Sequence, residues 1–349
     1  MRSMQMVDFG APLVETRRQA PEPRGAEVLL RTRACGVCHS DLHLWDGFFD
    51  LGDGERIDVA QRFELPFTLG HEIVGEVVAL GPDADGVAPG DVRLAHTWIG
   101  CGECPTCRDG DERFCARPRF VGTWIDGGYS DHVVIPHPRY LIDIGDTPPA
   151  EACVYACSGL TAFSALNKVL PLDPGHKLLV IGAGGLGLIA IQLARALGAE
   201  NIVAADINPD KRQAALDAGA NAVIDATDPG ALKETRRVSD GGPQAAIDFV
   251  GSAQSARFGF DSLRRGGSLV IVGLYGGKLN VPVPLFPLRT VNILSSFVGT
   301  LDEMRELMEL VKSGRLDRPR VQTRPLAEVN EALADLRTGS VVGRIVLEP

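Results

Sequence analysis

The run Gly182-Ala-Gly184-Gly185-Leu186-Gly187 constrains this chain most. It follows Lys177-Leu-Leu-Val-Ile181, which reads as a buried strand, and precedes Leu188-Ile-Ala-Ile-Gln-Leu-Ala-Arg-Ala-Leu, a helical run stopped by Gly198. Alone, the glycine spacing is weak evidence; between a strand and a helix it has a mechanism. Glycines let the backbone approach a pyrophosphate, and the helix N-terminus supplies positive potential. The next strand, Ile202-Val-Ala-Ala, ends in Asp206, roughly the 20-residue distance expected of a ribose-binding acid. A carboxylate there accepts from the 2′-hydroxyl of NAD and repels the 2′-phosphate of NADP. The other reading of Asp206 is a helix cap before Pro209.

The alternation continues. Asp210 to Ala218 reads as a helix and Ala222-Val-Ile-Asp as a strand. Ala245 to Gly251, Ser268 to Leu274 and Val291 to Gly299 read as further strands. This pattern is that of a doubly wound parallel sheet, an α/β fold. Helices are expected over Leu301 to Lys312 and Leu326 to Arg337. A closing strand, Gly343-Arg344-Ile-Val-Leu, is expected to return to the first domain. At 349 residues the chain is long for one core, so a second domain is expected ahead of the sheet.

That first part carries metal chemistry. Short strands are expected over residues 1 to 34, followed by the loop Cys35-Gly-Val-Cys38-His39-Ser40-Asp41-Leu42-His43. Thiolate suits zinc, Asp41 suits the support of a metal-bound histidine, and Ser40 and His43 suit proton transfer. His71, in Gly70-His71-Glu72 at the start of an apolar strand, is a candidate second ligand; alone it would be a core histidine. Cys157 is a candidate third, on a helix read from Cys153 onward. Glu72 is either a weak ligand or part of the site's electrostatics. Cys35 and Cys153 read as small buried residues, and His132 and His137 as structural. Trp45 to Leu69 reads as a long loop. Trp45, Phe48, Trp98 and Trp124 mark either an apolar pocket or ordinary packing.

Cys101-Gly-Glu-Cys104-Pro-Thr-Cys107, continuing to Cys115, is the strongest local signal. Four thiolates close a tetrahedral zinc site with no place for substrate, so this site is expected to be structural, in an exposed lobe. An iron–sulfur cluster also begins with this spacing, but the wider last gap and the lack of a second cluster disfavour it.

Net charge of -10 and a pI near 5.2 argue against nucleic acid or an anionic membrane as partner. The N-terminus lacks an apolar signal region, so the eight cysteines read as metal ligands and free thiols of a cytoplasmic protein. The most apolar run, Leu178 to Ala194, holds four glycines and Gln192 and is no membrane span.

In this order, the motifs resemble those of zinc-containing alcohol dehydrogenases of the medium-chain dehydrogenase/reductase superfamily, over essentially the whole length. The resemblance implies a GroES-like, mainly β catalytic domain over 1–155 and 295–349, with the zinc lobe at about 95–117, and a Rossmann domain over 156–294. It implies Cys38, His71 and Cys157 as catalytic zinc ligands, with Glu72 able to approach the metal. It implies Cys101, Cys104, Cys107 and Cys115 as ligands of a second, structural zinc. Asp41 is implied as support for His71, and Ser40 with His43 as a proton relay. Lys211 is implied at the ribose and Arg344 at the pyrophosphate, with His39 standing where some relatives carry arginine. Thr161, Leu186, Val250, Gly273 and Leu274 complete the expected NAD contacts. The implied reaction is reversible hydride transfer between a primary or secondary alcohol and NAD, giving an aldehyde or ketone. Cys157, where polyol dehydrogenases usually have glutamate, favours simple alcohols; a polyol or sugar-alcohol dehydrogenase is the alternative, and a non-catalytic NAD-binding protein the more distant one. Bacterial members are commonly tetramers, so a homotetramer or homodimer is expected.

Overall fold

The computed structural model describes residues 1–349. The chain divides into two compact units. One comprises Met1–Phe48, Asp58–Leu160 and Val298–Pro349; the other comprises Phe49–Ile57 and Thr161–Phe297.

The first unit is built on a seven-stranded sheet. Its central strand, Val28–Gly36, buries Val28, Leu29 and Leu30 and exposes Arg31 and Arg33 around buried Thr32. This is the period-2 alternation of a strand with one wet face. It pairs antiparallel with Glu72–Leu80, in a register that runs from Val28 opposite Leu80 to Gly36 opposite Glu72. The C-terminal strand Arg344–Glu348 pairs with its other edge, Val346 opposite Gly36 and Leu347 opposite Cys35. This register positions the site: it brings the chain just after Gly36, just before Glu72 and at Arg344 to one end of the sheet.

The second unit is a six-stranded parallel sheet. Its strands lie in the order Ala222–Asp225, Ile202–Asp206, Leu178–Ile181, Ala245–Asp248, Ser268–Ile271, Asn292–Ser295. Chain direction reverses its spread between the third and fourth of these, the switch point where such sheets bind ligands. Leu179, Ile181, Val203, Ala205, Phe260 and Leu269 fill the core on one face. Phe260 packs against the tilted ring of Phe286, centroids 5.6 Å apart.

Four local expectations are corrected. Trp45 to Leu69 is not a structureless loop. Trp45 lies in the helix His39–Asp46, and the chain then forms a hairpin, Phe48–Gly52 with Glu55–Asp58, and a 3-10 turn at Ala60–Arg62. The turn signal was Asp50-Leu-Gly52-Asp53-Gly54, in which Gly52, Asp53 and Gly54 all take positive φ. Lys278 holds the hairpin through Asp53 at 3.1 Å and Glu55 at 3.0 Å. Second, Cys38 caps a helix, and Ser40 and His43 lie within it rather than along a loop. Third, the helix expected from Cys153 is interrupted: Cys153–Ala156 is a 3-10 turn, Cys157 takes φ -128 and ψ -65, and the α-helix is Ser158–Asn167. Fourth, the strand expected over Val291 to Gly299 is shorter, Asn292–Ser295.

Candidate active site

The three candidate ligands come together. Sγ of Cys38, a ring nitrogen of His71 and Sγ of Cys157 lie within 4.8 Å of one another, and all three residues are buried. Each sits where regular structure stops: Cys38 at a helix cap, His71 one residue before a strand, Cys157 at the break between two helical turns. His71 Nδ1 faces Asp41 Oδ1 at 3.0 Å, and Thr97 Oγ1 donates to the His71 carbonyl at 2.9 Å. Trp98 packs edge-on to the imidazole at 5.5 Å. The other ring nitrogen, Nε2, is buried without a hydrogen-bond partner. A buried polar atom without a partner costs about 1–3 kcal/mol. A metal ion among these ligand atoms would satisfy it, and two thiols and an imidazole suit zinc. A hydrogen bond from Cys157 pulls Cys38 well below the usual thiol range, against the effect of burial, and pushes Cys157 up.

Glu72 is fully buried beside this set. Its Oε1 accepts from the Ser158 amide at 3.1 Å and the Ser158 hydroxyl at 2.5 Å, and Arg344 Nη2 donates to Oε2. Gly36 makes room for this pair, because a Cβ there would overlap Oε2. Arg344, expected at the pyrophosphate, is 4% exposed and committed to Glu72. Burial pushes the Glu72 carboxyl up, and the guanidinium pulls it partly back.

His39 is exposed at the first position of its helix, and Ser40 and His43 are half-buried three residues apart. That spacing puts both on one side of the helix. Burial lowers the His43 pKa below its usual value, with Cys38 and Asp46 opposing, so the ring is a neutral acceptor at pH 7. Trp98 packs at the ligands, Trp45 donates to the Ala11 carbonyl under Arg337, and Trp124 is exposed under Arg62.

The four-cysteine set also closes. Sγ of Cys101, Cys104, Cys107 and Cys115 lie within 4.8 Å of one another, with 3.4 Å between Cys104 and Cys107. Backbone amides of Cys101, Cys104 and Arg117 donate to these sulfurs. Amide donors from Glu103 and Cys104 lower Cys101 to about 6, whereas burial lifts Cys107 to about 12. The residues between the ligands are mostly exposed, as the charge pattern implies, with one buried exception. Glu112 is buried and takes hydrogen bonds from the Gly100 amide, the Tyr140 hydroxyl and Arg139. That carboxylate ties the lobe to the body.

In the second unit, the glycine run leaves Leu178–Ile181 and opens the helix Gly185–Ala196. Gly182 takes φ +86, and a Cβ on Gly187 would collide with the Gly182 carbonyl, so strand and helix meet as the motif requires. Gly184, Gly185 and Leu186 are half-buried at the helix start. Asp206 ends the neighbouring strand, and its oxygens accept from Ala183 N at 2.7 Å and Asn208 N at 2.8 Å. The helix cap before Pro209 is Asn208, which accepts from Asp210 and Lys211. The capping role considered for Asp206 is therefore taken by another residue. Thr161 is buried, Lys211 half-buried and Leu274 exposed. Val250 and Gly273 meet backbone to backbone.

Sequence reasoning missed Tyr129, which donates to Asp41 at 2.8 Å, and Ser158 on Glu72. It also missed Asp248, buried at a strand end, whose carboxylate accepts from Val250 N, Gly251 N and the Ser255 hydroxyl. The strand-end run Asp248-Phe-Val-Gly-Ser252 carried a usable signal; Tyr129 and Ser158 carried none.

A switch-point glycine turn in a doubly wound sheet, joined in one chain to a buried thiol–imidazole set, defines a metal- and dinucleotide-dependent oxidoreductase. Residues 24–146 match the family model described as "Alcohol dehydrogenase GroES-like domain", and residues 185–313 match "Zinc-binding dehydrogenase". A protein of Sulfurisphaera tokodaii named "NAD-dependent alcohol dehydrogenase" is 38% identical over 351 residues, covering 100% of both chains. The crystal structure of the alcohol dehydrogenase from Aeropyrum pernix is similar with a TM-score of 0.90 at 32% identity, covering 100% of both. That of the D-arabinose dehydrogenase from Sulfolobus solfataricus gives 0.85 at 27%, covering 100% of this chain and 99% of the other. The chain belongs to the zinc-containing alcohol dehydrogenase family of the medium-chain dehydrogenase/reductase superfamily.

Proposed function

We propose that this protein oxidises primary or secondary alcohols to aldehydes or ketones with NAD, reversibly, and holds two zinc ions per chain. The observation that carries the catalytic half is the partnerless, buried Nε2 of His71 beside two thiols. Cys38, His71 and Cys157 would hold the catalytic zinc, with Glu72 close enough to tune it, and Cys101, Cys104, Cys107 and Cys115 the structural one. The turn Gly182–Gly187 and Asp206 would hold the pyrophosphate and ribose of NAD, with His39, Thr161, Lys211, Val250, Gly273, Leu274 and Arg344 as further candidates.

Zinc at three protein ligands supplies a Lewis acid for the alcohol oxygen, and NAD supplies the hydride acceptor. The chain's own residues do the rest. Asp41 fixes the His71 tautomer by accepting from Nδ1, which turns Nε2 toward the metal. Ser40 takes the hydroxyl proton, and His43, neutral at pH 7, receives it and releases it to solvent. In His43→Gln, kcat/KM for alcohol oxidation should fall about 100-fold at neutral pH, the low side of general-base contributions, because water partly replaces a half-buried relay end. The defect should shrink as pH rises and hydroxide takes over. Superimposable pH profiles of variant and wild type would leave His43 as a packing residue.

Asp206 directs the cofactor choice. Its carboxylate would meet the extra phosphate of NADP with like charge, so NAD should be preferred. Asp206→Ala should narrow the ratio of the two kcat/KM values, tenfold for about each 1.4 kcal/mol removed. A wild-type enzyme faster with NADP would refute this. A sugar or polyol is the second substrate reading, supported by the likeness to the D-arabinose dehydrogenase. A substrate panel that sets vicinal diols and aldoses beside simple alcohols separates the two.

Assembly into a homotetramer is the state we infer, with a homodimer as its simpler form. The edge strand Asn292–Ser295 has one neighbour, and Val283, Leu288, Leu294 and Phe297 lie exposed around it. Light scattering that finds a monomer would end this reading. Eight free cysteines suit a reducing cytoplasm, and no helix is long and apolar enough to cross a membrane; cell fractionation tests that placement.

A further inference from the structure

Tyr129 is the largest of the fully buried side chains. A buried phenol needs a partner for its hydroxyl. Here the partner is Asp41: Oη donates to Oδ2 at 2.8 Å. The same Oδ2 accepts from the Cys38 amide at 2.9 Å, and Oδ1 faces Nδ1 of His71 at 3.0 Å. One carboxylate therefore gathers the backbone of one candidate ligand, the ring of another, and a phenol from a distant turn.

That turn is laced to the segment carrying His71. Gly127 N donates to the Thr68 carbonyl, Gly128 N to Gly70, and Tyr129 N to Leu69, all at 2.8–2.9 Å. Gly70 takes φ +97, and a Cβ there would lie 2.6 Å from Tyr129 Cδ1, so the ring rests directly against the residue before His71. Met4 N donates to the Tyr129 carbonyl and fixes the other side. The fully buried ring is thus held against Gly70, with its hydroxyl on Asp41. Burial and the neighbouring Asp41 raise the phenol's pKa well above its usual value, so it remains a donor.

We propose that Tyr129 is a positioning residue for the Cys38–His71–Cys157 metal site: its hydroxyl fixes the rotation of the Asp41 carboxylate, and so holds the His71 ring aimed at the metal. The proposal rests on the zinc reading given above. The hydrogen bond is charge-assisted, the stronger kind. Without it, Oδ2 keeps only the Cys38 amide, and the carboxylate holds the His71 ring less firmly in line with the metal. Partners of this outer kind typically change metal affinity by about 10- to 100-fold.

The test is Tyr129→Phe, which keeps the ring and removes only the hydroxyl. Timed release of zinc to a colorimetric chelator should show two phases in wild type. The phase missing from Cys157→Ala belongs to the Cys38 site. In Tyr129→Phe that phase should quicken about tenfold, the low end of the range, while the four-thiolate phase stays unchanged. With cobalt in the Cys38 site, the ligand-field absorption should shift, because the orientation of the His71 ring has changed. Wild-type release with an unshifted cobalt spectrum would make Tyr129 a packing residue and overturn the proposal. Equal loosening of both zincs, with a fall in Tm, would overturn it too, by showing a general loss of structure. A wild-type chain with no metal at the Cys38 site would instead refute the zinc reading, and this inference would fall with it.

Discussion

Cys157→Ala should lower kcat/KM for alcohol oxidation about a thousandfold and leave one zinc per chain, with the fold intact. Cys157 sits at the break between two helical turns, and its thiol pairs with Cys38. Its loss leaves a small buried gap but opens no strand and breaks no core cluster. What is lost is a ligand of the Lewis acid, whose contribution to a reaction of this kind is several kcal/mol. About 4 kcal/mol corresponds to the thousandfold loss. Metal analysis of the variant beside wild type separates the two sites, because the Cys101–Cys115 set lies in its own lobe. Retained activity with one zinc would move the chemistry away from Cys157.

The second large effect concerns stability. Arg344 and Glu72 form an ion pair with both side chains buried. Removing one partner of such a pair leaves an uncompensated charge, at about 3–5 kcal/mol. Arg344→Met should therefore lower Tm at neutral pH by on the order of 10 °C, given about 2–4 °C per kcal/mol. The effect should depend on pH in one direction. Burial already raises the Glu72 pKa, and without Arg344 it rises further. A raised carboxyl pKa means a penalty that is full above the folded value and absent below the unfolded one. The gap between variant and wild type should therefore close as pH falls through that window. Adding Glu72→Gln to Arg344→Met should recover most of the loss at neutral pH. A variant with wild-type Tm at neutral pH would show that the pair does not hold this end of the sheet.

What could be read from sequence followed how local the chemistry is. The four cysteines lie within 15 positions, and the glycine turn lies between the strand and helix it joins, so both announced themselves. Cys38 and His71 stood out because metal-binding residue types sat at the ends of apolar runs. The hydrogen-bonded frame around them did not. Tyr129 reaches Asp41 across 88 positions and Arg344 reaches Glu72 across 272, and no periodicity records such contacts. Resemblance suggested Arg344 as a pyrophosphate contact, whereas its burial against Glu72 depends on how the last strand docks on Gly36 and Cys35. The hairpin after Trp45 was hidden for a different reason. Its strands are short, aromatic at one end and charged at the other, so neither a period of two nor an apolar run stood out.

The central claim is that zinc at Cys38, His71 and Cys157 makes this chain an NAD-linked alcohol dehydrogenase. The most direct test follows NADH absorbance with a panel of primary and secondary alcohols, using protein as purified, protein stripped of the zinc whose release phase Cys157→Ala lacks, and stripped protein given zinc again. NADH should form with at least one alcohol, cease on stripping and return with zinc. Formation that persists unchanged after that zinc is removed, or no formation with any alcohol from zinc-replete protein, would contradict it.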